Sequence, residues 1–277
     1  MRCLLLLLVA LSVATPVLAA TVVRTPSGTP VRWAGSSVVL QVTVPPARFG
    51  INQRALMRAL GDAVMVWRDA CEGCRLPEIH VVPAGKQQRK VRQDGQSIVR
   101  VQGGQWCPEH ARDREECYAR TRAAITHLYP HTEAGSERDG QLREVDLEIN
   151  AVDFQWSLQG EVPGARPLTA TLVHEVGHLF GLDHPCAAKG TSDAGAPLCS
   201  DAAVRHCVMY PDPTEPGRAV VLRPAADEVR ALRELYPRRS WWQCGKQTPG
   251  PHARLAQQMS WVVVVVLGTL FVRRCRN

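Results

Sequence analysis

Lysine is nearly missing from this 277-residue chain: it stands only at positions 86, 90, 189 and 246, and arginine carries almost all the positive charge. That is a codon bias without mechanistic content. A basic body is missing too. The formal charge is +7, but Arg2 lies in the first residues and Arg273, Arg274 and Arg276 in the last five. The remainder, about +3, is too small and too scattered for a phosphate-binding surface, which excludes nucleic acid as a partner. No internal repeat is present, and 45% hydrophobic with 21% charged residues is ordinary globular composition. No apolar run reaches the length of a permanent membrane span. The longest near the C-terminus, 259–272, would make a helix of about 21 Å against a hydrocarbon core of about 30 Å.

What is present begins with a leader. Arg2, an apolar stretch over 3–13 and the small-residue end Val17-Leu18-Ala19 read as a secretory signal peptide, residues 1–19, cleaved after Ala19. Ala20, not a cysteine, stands directly after that point, so a lipid anchor is not expected there. Setting aside Cys3 and Cys275 leaves Cys71, Cys74, Cys107, Cys117, Cys186, Cys199, Cys207 and Cys244. In an exported chain an even count points to four disulfides, whose pairing among about 105 connectivities is open. Cys71 and Cys74 form a lone CxxC; with no second CxxC and no surrounding βαβ pattern, a zinc knuckle or a redox pair is the lesser reading.

The element pattern is strands first, helices later. Strands are expected at 37–44, 78–82, 97–101, 123–129 and 142–150, with a polar turn at 132–140 between the last two. Apolar residues at helical spacing mark helices over 52–70, 168–180 and 225–236. The fold class is therefore α+β, in a domain spanning 20–240. A linker broken by Pro249-Gly250-Pro251 covers 241–259, and an apolar segment with a basic end covers 260–277. That tail resembles the tripartite sorting signals of some bacterial exported proteins. With a basic end on the cytoplasmic side, it is the expected point of membrane attachment for a cell-surface or extracellular chain.

The chemistry concentrates in HEVGHLFGLDH, residues 174–184. On a helix, side chains four apart share a face, so His174 and His178 present two imidazoles to one ion. Leu172, Val173, Val176, Leu179 and Phe180 fall on the opposite face, toward a core. Gly181 can stop the helix in the left-handed conformation and reverse the chain, which returns His184 as a third nitrogen ligand. Three histidines with an open fourth position suit catalytic Zn²⁺, and Glu175, beside a ligand, is placed to act as general base. With 9 His and 14 Glu in the chain, HExxH arises by chance in roughly one such chain in 70, and the form extended by Gly181 and His184 in roughly a few per 100,000. The extended motif is therefore a signal where the short one is not.

H-E-x-x-H-x-x-G-x-x-H resembles the zinc motif of the metzincin metalloproteases. CVMYP at 207–211 is similar to their Met-turn, with Met209 as its methionine. The matrixin branch is the nearest: Tyr210-Pro211 follow the methionine, AAITHLY at 123–129 is similar to the matrixin edge strand, VDLEINAVDFQW at 145–156 to the strand after it, and AADEVRALRELYP at 225–237 to the closing helix. The resemblance implies a twisted mixed sheet with an active-site helix, a Met-turn and a C-terminal helix. It implies a zinc endopeptidase acting on protein or peptide substrates, with Met209 packing below the metal. Pro185 departs from the Ser or Thr that matrixins carry there, no PRCGxPD latency segment occurs, and Pro211 stands where other branches place a tyrosine ligand. Only His127 matches a position of the matrixins' second zinc site, so a second zinc is not expected.

Calcium is a further candidate cofactor, with Asp146, Glu148 and Asp153 as candidate ligands; the adopted reading for these carboxylates is solvated charge at a strand edge. His80, His110, His131, His206 and His252 are read as surface or structural. The competing function is a non-catalytic, zinc-stabilised and disulfide-stapled binding module, from which the presence of Glu175 discriminates.

Overall fold

In SVVLQV the β-branched residues alternate between solvent and interior, and the run forms a strand at Ser37–Val42. The stretch after Asn52 switches to helical spacing. Asn52 caps it by accepting from the Ala55 amide at 2.9 Å, and Leu56, Leu60, Ala63, Val64 and Trp67 turn inward. The computed structural model describes residues 20–85, 90–187, 199, 202–215 and 219–238. In chain order the elements are β1 (Thr21–Val22), β2 (Ser37–Val42), α1 (Gln53–Ala70), β3 (Glu78–Pro83), β4 (Ser97–Gln102), β5 (Ala124–Pro130), β6 (Leu142–Asn150), β7 (Trp156–Ser157), β8 (Arg166–Pro167), α2 (Leu168–Leu179), β9 (Leu182–Asp183) and α3 (Ala226–Leu235). The five longer strands make one mixed sheet in the order β3-β2-β4-β6-β5, parallel except for β5, which pairs antiparallel with β6 at the edge. This is a mixed α and β architecture compatible with α+β.

The core lies between one face of the sheet and the helices. Leu40, Val42, Val99, Val101, Val145, Leu147 and Ile149 meet the apolar sides of α1 and α2. Trp67 ties the two helices together by donating its indole N–H to the Val173 carbonyl at 2.7 Å. The polar side of this helix is nearly as enclosed as its apolar side: Thr171, His174 and Glu175 are buried like Leu172 and Val173, and His178 alone among these is half-buried. The physical reason is that the supposed cleft side of α2 faces β5 and the 207–210 turn, so its polar side chains line an interior cleft.

The outer face of the sheet also differs from expectation. Asp146 and Glu148 are not solvated; they are buried, as is Glu144. Period-two alternation along β6 puts these carboxylates opposite Val145, Leu147 and Ile149, and the stretches 90–96 and 103–122 cover them. Asp146 accepts from the amides of Arg92 and Ile98, and Glu144 from those of Asp94 and Gly95. Glu148 accepts from Gln102, Tyr118 and His127. Burial is tolerable because protein donors replace water. Asp153 is half-buried and paired with Arg120 and Asn150.

Three disulfides join the described residues: Cys71–Cys74, Cys107–Cys117 and Cys186–Cys199. Cys207 is buried, and Cys244 lies outside the described residues. So do the leader at 1–19, the linker at 241–259, the tail at 260–277 and His252. Among the described residues no helix is long and apolar enough to cross a membrane.

Candidate metal centre

α2 begins after Pro167 and ends at Phe180, whose amide still bonds back into the last turn. Gly181 then takes φ +92°, in the left-handed region, and a side chain there would collide with the Val31 carbonyl oxygen. Only glycine can both turn the chain and let the N-terminal segment lie against it. The last carbonyls of the helix are satisfied from outside: Trp33 donates to Leu179 at 2.9 Å and Tyr236 to Phe180 at 3.1 Å. β1 pairs with β9 just past the turn, Val23 N–H donates to the Gly181 carbonyl at 2.9 Å, and the Thr21 hydroxyl donates to the His184 carbonyl at 2.6 Å. The returning residue is therefore fixed by the helix end, by the N-terminal strand and by the C-terminal helix together.

That turn brings the three histidines to one point. Their Nε2 atoms are 3.2 Å apart for His174 and His178, and 3.1 Å for each with His184. His174 Nδ1 donates to the Val208 carbonyl and His178 Nδ1 to the Leu182 carbonyl, both at 2.8 Å. A carbonyl oxygen only accepts, so each ring carries a proton on Nδ1, which leaves Nε2 as the atom able to offer a lone pair toward the shared point. Burial, followed by the neighbouring rings of His178 and His174, holds the pKa of His184 well below the ordinary histidine range and keeps it neutral. A tetrahedral ion with bonds of about 2.0–2.1 Å sets its ligand nitrogens about 3.3–3.4 Å apart, which this cluster approaches. The three residues are able to hold a metal ion; among the described residues no other group of His, Cys, Asp and Glu side chains does so.

Glu175 stands beside them, nearly buried, in a cleft of about 530 Å³ that the three histidines, β5 and the 211–213 stretch enclose. Burial pushes its pKa up, against the opposing effects of His178 and of the Thr126 hydroxyl, which donates to Glu175 Oε2 at 2.5 Å. Asp212, which lines the cleft, accepts from Arg166 at 2.9 Å, and that guanidinium lies over the Phe154 ring, 4.3 Å from its centre.

The 207–210 turn supports the centre from beneath. Met209 is fully buried, and a side chain added at Gly177 would collide with its sulfur, so the thioether rests against the helix between His174 and His178. Its amide donates at 2.7 Å to Glu228, a buried carboxylate of α3 whose pKa burial pushes up.

No protein-family model matches this chain, and no curated protein matches it either. The geometry must therefore carry the functional reading. The chain brings together His174, Glu175, His178 and His184, and packs Met209 against the helix that carries the first three. His80, His110 and His206 are exposed and His131 half-buried, away from the cluster. His127 points to the outer face, where it meets Glu148 at 2.9 Å and the Tyr118 hydroxyl at 3.4 Å. Thr126, which donates to Glu175, carried no signal in the sequence beyond membership of the strand expected at 123–129, and Thr21, which donates to the His184 carbonyl, carried none. A larger cavity of about 760 Å³ opens elsewhere, between 43–46 and 100–111; its charged residues, Arg100 and Glu109, pair with each other, and it holds no convergent ligands.

Proposed function

We propose that this chain is a zinc-dependent endopeptidase of the metzincin type, nearest to the matrixins. The observation that carries the reading is the convergence of three Nε2 atoms within 3.2 Å, beside a buried carboxylate, in a cleft bounded by the edge strand β5. His174, His178 and His184 would hold the ion. When bound, zinc supplies Lewis-acid polarisation of a peptide carbonyl and makes water acidic enough to lose a proton near neutral pH. Glu175 takes that proton and passes it to the leaving amine; its raised pKa suits a group that must both accept and release a proton. An extended peptide adds to the open side of β5 through main-chain hydrogen bonds, which brings the scissile bond over the histidines. Met209 packs and does not ligate. Three disulfides are consistent with export to an oxidising compartment; the tail expected to attach to a membrane lies outside the described residues, and the carboxylates weighed for calcium, Asp146, Glu148 and Asp153, already accept from protein donors.

The test is Glu175→Gln. The amide keeps the shape of the carboxylate and cannot accept the proton, so hydrolysis should fall by about 10²–10⁴-fold. Elemental analysis should still find one zinc per chain. Turnover equal to the unsubstituted chain would remove Glu175 from its role, and a zinc-loaded chain that cleaves nothing in either form would favour the binding module.

A further inference from the structure

We infer that Thr126 is a positioning residue for Glu175, and that through it the strand offered to substrate also holds the general base; this rests on the endopeptidase reading. β5 pairs with β6 so that Thr126 stands opposite Leu147, a core residue, while Ile125 and His127 stand opposite Glu148 and Asp146 on the outer face. Alternation therefore sends the Thr126 side chain toward α2 and its neighbours away from it. The hydroxyl has one proton to give. The Glu175 carbonyl oxygen is 3.5 Å away, and the carboxylate Oε2 is 2.5 Å away, so the donation goes to the carboxylate. A β-branched side chain on a paired strand has little rotamer freedom, and a hydrogen bond to an ionised carboxylate is among the stronger kinds. Together these fix the rotation of the carboxyl group about its last bond. Oε2 is occupied, and Oε1, for which no protein donor is found among the described residues, is left to the cleft that the histidines share.

A base that must take a proton and then return it at a second position gains from such fixing. A freely rotating carboxylate would present either oxygen at varying distances, and a misplacement of about 1 Å costs a reaction about a hundredfold. Thr126 also sits on the element along which the peptide is expected to lie. Base and substrate are thus registered against one strand, and the contribution belongs to the chemical step more than to substrate binding.

Thr126→Val keeps the shape and β-branching and removes the donor. It should lower kcat about ten- to a hundredfold, leave KM within about twofold, and leave zinc stoichiometry and the melting temperature near those of the unsubstituted chain. Thr126→Ser restores the hydroxyl and should recover most of kcat. Adding Thr126→Val to Glu175→Gln should cost little more than Glu175→Gln alone, since the two act as one unit. A kcat for Thr126→Val within twofold of the unsubstituted chain would overturn the inference, as would a loss that appears in KM alone. Should valine impair folding, the comparison passes to Thr126→Ser against Thr126→Ala, where equal kcat values would overturn it. If the unsubstituted chain cleaves no peptide, the endopeptidase reading fails instead, and the two failures are told apart in one experiment.

Discussion

Asp146 shows how a single residue can set a solution property of the whole chain. It has no exposed surface, and burial pushes its pKa up to about 7, against the opposing hydrogen bonds from the Ile98 and Arg92 amides. In the unfolded chain the same carboxyl titrates near 3.9, its ordinary value. The folded state therefore keeps a proton that the unfolded state has lost between about pH 4 and pH 7, so this group's stabilising contribution is full below about pH 4 and disappears as pH rises through about 7. Asp146→Asn removes the titration. Urea midpoints compared at pH 8 and pH 5 should show the unsubstituted chain gaining on the variant as pH falls; a pH-independent offset would contradict the assignment. The residues of the candidate metal centre were legible because HExxH on a helix fixes a spatial relation within five positions, and Gly181 and His184 extend it. Asp146 was not, since alternation along a strand says which residues share a face but not whether another stretch of chain will cover that face.

At the scale of elements, the helices and long strands followed from periodicity to within a residue or two, and the elements that hold the third histidine did not. β1 and β9 are two residues each, too short for any period to register. Yet β1 lies on the turn that returns His184, and its continuation, Val23, donates to the Gly181 carbonyl at 2.9 Å. Val23→Pro removes that donor. The variant should bind zinc about tenfold more weakly in competition with a chromophoric chelator, as loss of supporting contacts around ligands commonly does, while Val23→Ala should bind as the unsubstituted chain. Unchanged affinity in the proline variant would mean that the Val23 hydrogen bond is dispensable for holding His184 in place. Disulfide pairing was equally closed to the sequence, since bridges spanning 3, 10 and 13 residues are favoured by proximity that only the folded loops supply.

Across the whole molecule, the parts meet at α2. The sheet presents β5 along one side of it, α1 clamps it through Trp67, the N-terminal strand and Tyr236 close its end, and α3 braces the Met209 turn through Glu228. Each contact restrains a group of the proposed centre, which is the organisation expected where ligands and base must stay in register without relying on the metal alone. The most direct measurement of the central claim is a peptide-library digest by the purified chain, read as new N-termini by mass spectrometry, before chelation, after chelation and after zinc is restored. The endopeptidase reading predicts internal cleavages that vanish with the chelator and return with zinc. A chain that carries stoichiometric zinc and generates no new N-termini under any of the three conditions would contradict it.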